Sequence, residues 1–345
     1  MGGDNAPAIV VEGAHLARRK YPQAKFIIFG DENKIRPLLG RFPGLKEVMA
    51  IRHTPDLIFS TDKPSIVLRS GRNSSMRLAI DAVADGEAQC VVSAGNTGAL
   101  MAMAKFSLKV LPGITRPAIA TAMPTKVEGH GAVMLDLGAN VECDPKNLLE
   151  FAVLGGVFSR EILKIAEPRI GLLNVGSESM KGHETIKAAS ELFAATAHLP
   201  GKYIGFVEGD SLMKGEVDVV VTDGFTGNIA LKSIEGTAKL VAGMFKQAFK
   251  SSLSLKIGLF LCLPGILAAL PALLALRNRI DPRYYNGASL MGLKGLCIKS
   301  HGGTDAIGFA NAIGVAADMA LIRFNEKVEA ELQRLGVGEV QNAPL

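Results

Sequence analysis

Short, nearly unbroken apolar runs recur along the chain at 25–30 (KFIIFG), 90–94 (CVVSA), 132–137 (AVMLDL), 169–175 (RIGLLNV), 203–207 (YIGFV), 217–222 (VDVVVT) and 296–299 (LCIK). They do not alternate apolar with polar, which is how strands covered on both faces of a sheet read. Helical patterns lie between most of them, at 73–84, 145–165 and 304–332. Strand, glycine-rich turn and helix in repeated order predict an α/β protein with a mostly parallel, doubly wound sheet. No low-complexity linker divides the chain, so 1–345 reads as one α/β domain, with an apolar helical hairpin inserted at 250–283.

The turn at residues 2–7 (GGDNAP) leads into a helix that Asp4 or Asn5 can cap, with Pro7 in its first turn. No strand stands before this turn, so the sequence predicts a strand upstream of Met1. The later turns carry Gly, Asn, Thr, Ser and Asp where strands hand over to helices. In a parallel sheet such turns gather along one carboxyl edge, where ligands of these folds bind. Each following helix offers free N–H groups and a partial positive charge to an anion.

The strongest cradle is 93–98 (SAGNTG), with Gly95, Asn96, Thr97 and Gly98. Residues 135–140 (LDLGAN) end in the amide of Asn140, and 174–182 (NVGSESMKG) bring Lys181 into a polar turn. Residues 222–228 (TDGFTGN) repeat the Gly-x-Thr-Gly pattern through Asp223, Gly224, Thr226, Gly227 and Asn228. His301 stands between a strand and a helix, whereas His15 and His198 lie in helical patterns and carry no role. Taken singly, each turn could be no more than a helix cap. Together they favour a phosphate-like ligand.

Composition narrows the classes. Hydrophobic residues make up 48% of the chain, enough for a large core and against disorder. Lys and Arg total 38 against 33 Asp and Glu, a net charge of +5, and aromatics are 6% with no Trp, so nucleic acid is not the expected partner. The cysteines Cys90, Cys143, Cys262 and Cys297 lack metal spacing and read as small buried hydrophobes in a reducing compartment. The N-terminus has no secretory pattern. Dinucleotide, P-loop, zinc-protease and nucleophile-elbow signatures are absent.

The motifs at 1–7, 93–100 (SAGNTGAL), 113–120 (GITRPAIA), 135–140, 174–182, 206–210 (FVEGD), 222–232 (TDGFTGNIALK) and 300–302 (SHG) together resemble the PlsX family of bacterial phosphate acyltransferases over essentially the whole chain. The resemblance implies a three-layer α/β/α fold related to isocitrate and isopropylmalate dehydrogenases and to phosphotransacetylase, and a homodimer. It implies transfer of a fatty acyl group from acyl carrier protein to inorganic phosphate, the acyl phosphate passing to the membrane acyltransferase PlsY. Asn96, Thr97, Lys181, Asp223, Asn228 and His301 stand as catalytic candidates. Gly95, Gly98, Asn140, Gly224, Thr226, Gly227 and, in its motif, Arg116 stand as substrate-binding candidates. Two departures from the family pattern are the strand expected before Met1 and Met291, where Leu is more usual.

That chemistry suits these residues. A thioester is an activated donor and phosphate is already ionised, so the tasks are placement and stabilisation of an oxyanion. Direct attack by phosphate is preferred to an acyl-enzyme, with His301 positioned in the site but not an essential base, and no metal or cofactor is expected.

Residues 253–276 carry a single charge, Lys256, over 24 positions, long enough to cross a bilayer. Pro264-Gly265 and Pro271 favour short broken helices. A single crossing would also part 222–228 from 300–303. The sequence therefore predicts a hairpin docked on an anionic membrane surface, flanked by Lys246, Lys250, Lys256, Arg277, Arg279 and Arg283, with a buried dimer contact as the competing reading. The expected location is cytoplasmic, at the inner face of the membrane. Two other functions compete: a short-chain phosphotransacetylase using acyl-CoA, and a catalytically silent docking partner of lipid enzymes.

Overall fold

The computed structural model describes residues 1–251 and 262–336. Each apolar run contains a strand: β1 (Phe26–Gly30), β3 (Cys90–Ser93), β5 (Gly131–Leu135), β6 (Arg169–Leu173), β7 (Lys202–Val207), β8 (Val219–Val221) and β10 (Leu296–Lys299). Three strands escaped the pattern: β2 (Met49–His53), β4 (Ala118–Pro124) and β9 (Ala288–Met291). The helices are α1 (Ala8–Arg18), α2 (Glu32–Gly40), α3 (Pro64–Ser70), α4 (Ser75–Ala84), α5 (Thr97–Leu108), α6 (Pro145–Glu161), α7 (Glu184–Ala195), α8 (Gly224–Ser251), α9 (Leu263–Ile280), α10 (Ala306–Leu321) and α11 (Phe324–Arg334).

Eight strands form one sheet in the order β3-β10-β9-β4-β5-β8-β6-β7. Four of its seven strand pairs are parallel, as the expectation of a mostly parallel sheet requires, but its centre is antiparallel, which the sequence pattern did not show. The β10–β9, β9–β4 and β4–β5 pairs are antiparallel, and the flanking pairs are parallel. The cause is chain length: residues 125–130 and 292–295 are too few for a crossover, so each joins its strands as a hairpin. In consequence β3, β10 and β4 end at one edge of the sheet, while β5, β6, β7, β8 and β9 end at the opposite edge.

Helices cover both faces. On one, α6, α10 and α11 bury Val133, Leu135, Val219, Val221 and Ile298. On the other, α4, α5 and the start of α8 cover Met134, Val220 and Cys297. Helix α6 begins with a capping box between Asp144 and Asn147 and Pro145 in its first turn. It is buried from Asn147 to Ser159, with Phe151 and Leu154 at 0% exposure, so it is apolar around most of its circumference. The 304–332 pattern splits into α10 and α11, bent by 54°. Arg323 between them takes the left-handed conformation (φ 54°), and the turn sets Phe324 edge-on to Phe158 with ring centroids 6.1 Å apart.

β1 and β2 form a separate parallel pair, packed with α1 and α2. Between β1 and β3 lies a slot of about 1190 Å³ lined by Phe26, Ile28, Cys90 and Val92, with Met1 and Gly2 at the carboxyl end of both strands.

Helix α9 runs unbroken from Leu263 to Ile280 through Pro271, which corrects the expectation of short broken helices; Pro264 sits in its first turn, where no N–H is needed. Leu240, Met244 and Phe245 on α8 and Leu267, Leu270 and Leu274 on α9 are exposed. Of the apolar segment, residues 253–261 lie outside the described residues. Among the described residues no single helix is long and apolar enough to cross a membrane. Cys297 is buried and Cys90 and Cys143 are half-buried, but Cys262 is exposed, against the reading of all four as buried.

Candidate functional site

The reversal of the sheet divides the candidate turns. Gly95, Asn96, Thr97, Gly98 and His301 stand at the edge where β3 and β10 end. Asn140, Lys181, Asp223, Gly224, Thr226, Gly227 and Asn228 stand at the opposite edge, where β5, β6 and β8 end. Arg116 precedes β4 and belongs with this second group. The expectation of one shared carboxyl edge fails because β4 and β9, the strands that reverse the direction, are missing from the apolar pattern.

At the first edge the chain closes tightly. A Cβ on Gly2 would lie 2.6 Å from the Cα of Gly95. The Asp4 N–H donates to the Gly302 carbonyl at 3.0 Å. Asn96 caps α5 through Oδ1, which accepts from the Ala99 N–H at 3.1 Å. Its Nδ2 donates to the carbonyls of Phe59, Ser60 and Asp62 at 3.0–3.3 Å. Asn96 therefore clamps a loop, and its amide hydrogens are engaged there. Thr97 is exposed at the first position of α5. The His301 N–H donates to Asn286 Oδ1 at 2.9 Å, and its Nδ1 accepts from the Gly303 N–H at 3.1 Å. The exposed ring is thus held by a backbone donor, and among the described residues no carboxylate pairs with it.

Lys299, the last residue of β10, went unnoticed in the sequence because it closes an apolar run. Its side chain is 9% exposed. The amine donates to the adjacent Ser300 carbonyl. Burial, with the Lys232 charge beside it, lowers its pKa to about 8. A lysine closing a strand directly before SHGG is the signal that could have found it.

The opposite edge is organised by Asp136, fully buried at the end of β5. Its carboxylate accepts from the N–H groups of Ile119, Gly138, Ala139 and Asn140 at 2.7–3.2 Å. It also accepts from Asn140 Nδ2 at 2.9 Å, while the same nitrogen donates to the Pro117 carbonyl. Burial pushes the Asp136 carboxyl above its ordinary value, opposed by these donors. Asn140 is thereby a brace for the loop, both amide hydrogens spent. Helix α8 starts against this loop. Gly224 and Gly227 are needed there for contact: a Cβ would sit 2.6 Å from the Asn140 carbonyl oxygen at Gly224 and 1.9 Å from the Asp136 carbonyl oxygen at Gly227. Asp223 accepts from the Thr226 N–H and Oγ1–H at 2.8 and 2.9 Å, capping the helix.

Asn228 is exposed beside Gly138. Lys181 is exposed too, paired with Glu178 at 2.9 Å, which raises its pKa. Arg116 is exposed, its guanidinium donating to the Glu142 carbonyl at 3.0 Å. Burial pushes the thiols up, Cys90 to about 11 and Cys143 and Cys297 to about 12, so these three are weak nucleophiles near neutral pH. The arrangement offers helix starts, amides, hydroxyls and lysines for binding an anion and stabilising an oxyanion.

The fatty acid synthesis protein family matches residues 1–327. A phosphate acyltransferase of Rhodospirillum centenum is 59% identical over 97% of this chain and 92% of its own length. That of Paramagnetospirillum magneticum is 52% identical over 100% and 95%. Among solved structures, a phosphotransacetylase from Streptococcus pyogenes superposes with a TM-score of 0.62 at 17% identity, covering 92% of each chain, a likeness of fold. The chain belongs to the PlsX family of phosphate acyltransferases and is an enzyme of the acyltransferase type.

Proposed function

We propose that the enzyme transfers a long-chain acyl group from acyl carrier protein to inorganic phosphate, releasing an acyl phosphate at a membrane surface for a membrane acyltransferase such as PlsY. Phosphate attacks the thioester carbonyl directly, the carbonyl oxygen takes the negative charge, and the thiolate of the carrier leaves. Thr97 and its helix start at the first edge, and Asn228 and Lys181 at the opposite edge, are the donors assigned to phosphate and the developing oxyanion, with α8 running from the second edge toward the first, and each well-placed donor is worth about 3 kcal/mol. His301 positions the first-edge loop and is not the base. The raised thiols of Cys90, Cys143 and Cys297 favour direct attack over an acyl-enzyme.

The observation that carries the long-chain reading is the exposed apolar surface of Leu240, Met244, Phe245, Leu267 and Leu270. A short-chain phosphotransacetylase has no use for such a surface, whereas a labile acyl phosphate with an apolar tail is best released against lipid. The two readings part on donor choice. Incubation with phosphate and either palmitoyl-acyl carrier protein or acetyl-CoA, with acyl phosphate trapped by hydroxylamine, gives product from the first. Product from acetyl-CoA alone, or from neither donor, would refute the proposal.

A further inference from the structure

We propose that Lys299 is the buried cation that binds a phosphoryl anion at the first edge, assisted by Lys232 from α8. This rests on the phosphate-transfer reading and adds the residue that holds the anion. Lys299 closes β10 in register with Ser93, the last residue of β3, so it stands beside the loop that leads into α5. Its side chain is 9% exposed. Among the described residues no carboxylate forms an ion pair with it, and its one hydrogen bond goes to the carbonyl of the next residue. A buried ammonium in a protein is ordinarily paired. Here the charged neighbours are Lys232, of like sign, and Asp4, which attracts it from outside hydrogen-bonding range.

One further observation gives that missing partner a chemistry. The N–H groups of Thr97 and Gly98 have no acceptor among the described residues, since Asn96 satisfies Ala99 and Leu100. Ser93, the register partner of Lys299, stands four residues before Thr97 on the same strand-to-helix turn, so these open backbone donors belong to the loop beside Lys299, and Lys232 lies within electrostatic reach of that lysine. Such a set suits a compact anion of high charge with several oxygens, as a phosphoryl group is. Lys232 is surface-exposed and shares its charge with Glu235 at 2.8 Å, so it serves as the outer, weaker contact.

Inorganic phosphate and the phosphodiester of the carrier's pantetheine arm share this chemistry, and kinetics separate them. The test compares wild type with Lys299→Met and Lys232→Gln. Thermal unfolding is followed with rising inorganic phosphate, and KM is measured for phosphate and for acyl-acyl carrier protein. Phosphate should raise the wild-type Tm, and Lys299→Met should abolish that rise. Its KM should increase about tenfold or more, for phosphate if the site holds the nucleophile, or for the carrier substrate if it holds the arm. Lys232→Gln, on an exposed helix face, should weaken the same parameter by about threefold. Should Lys299→Met fail to fold, the Lys232→Gln response still decides. Unchanged KM values for both substrates in Lys299→Met, or in Lys232→Gln where that alone folds, would overturn the proposal. A Lys299-dependent Tm response without any acyl transfer would sustain this site while refuting the assigned reaction.

Discussion

Two glycines of α8 should respond oppositely to the same substitution. At Gly227 an added Cβ would stand 1.9 Å from the Asp136 carbonyl oxygen, where a carbon–oxygen contact needs about 3.3 Å. The start of α8 must retreat by about 1.4 Å, or the Asp136 loop must give. That loop is held by the donors from Ile119, Gly138, Ala139 and Asn140, so the helix is the part that moves. Overpacking of this size costs about 3 kcal/mol. With an unfolding entropy of about 2.1 cal/mol/K per residue over 345 residues, Tm falls by about 4 °C. The displaced helix start carries Asn228 with it, and a misplacement of about 1 Å at a reacting centre lowers turnover about a hundredfold. At Gly236, by contrast, an added Cβ meets nothing within 4 Å. There Gly→Ala should stabilise by about 0.5–1 kcal/mol through helix propensity and leave turnover intact. Scanning calorimetry and acyl phosphate formation on both variants decide the matter. A Gly227→Ala protein that melts and turns over like wild type would refute the close contact between α8 and the Asp136 loop.

Lys299 titrates at about 8 in the folded chain against 10.5 unfolded, so the unfolded state holds the extra proton between these values. Its destabilising charge is fully present below pH 8, and stability should rise by about 3 kcal/mol as pH climbs from 8 to 10.5, a rise that Lys299→Met must lack in denaturant titrations. Lys181→Ala should lower turnover by about tenfold or more with no change in Tm, because the side chain is exposed and, among the described residues, its ion pair is with the likewise exposed Glu178; wild-type turnover would remove Lys181 from the chemistry. Phe245→Glu and Leu267→Glu should weaken sedimentation with anionic liposomes yet spare activity on soluble acyl-acyl carrier protein, and wild-type binding should weaken with salt. Equal sedimentation by wild type and both variants would instead indicate that this apolar surface is covered by another copy of the chain.

Each strand that was legible has a parallel partner, and the inner ones, β5, β6, β8 and β10, are mostly buried. Val219, Val220 and Val221 are all 0% exposed, and β-branched residues in an unbroken run announce such a strand. β4 is buried over its first half but is written AIATAMP, alanine-rich and ended by proline, and β9 is hidden in a glycine-flanked ASLM. Their low β-propensity is overridden by pairing to neighbours on both sides. Missing those two strands placed every turn on one edge. The individual turns and helix starts were legible, because Gly, Asn and Asp mark them locally. Their purpose was less so. Asn96 and Asn140 look like free donors in the sequence, yet each spends its amide on carbonyls distant in the chain. Gly224 and Gly227 look like a phosphate loop and act as close-contact points for a helix.

The reversal also explains why α8 matters to both edges. Its first turn is fixed at the opposite edge by Asp223, Gly224 and Gly227 against Asp136 and Asn140. At about 1.5 Å per residue, the eight residues from Gly224 to Lys232 cover about 12 Å, most of the length of a four-residue strand. Lys232 thereby arrives within electrostatic reach of Lys299 at the first edge. Ala230, Leu231 and Ile234 pack on the core beneath that path, so the helix is held along it and not only at its start. A shift imposed at Gly227 is then felt twice, at Asn228 directly and at Lys232 through a rigid helix. If both edges serve one reaction, Gly227→Ala should weaken the phosphate-dependent rise in Tm as well as turnover. If turnover falls while the phosphate response stays intact, the two edges act independently.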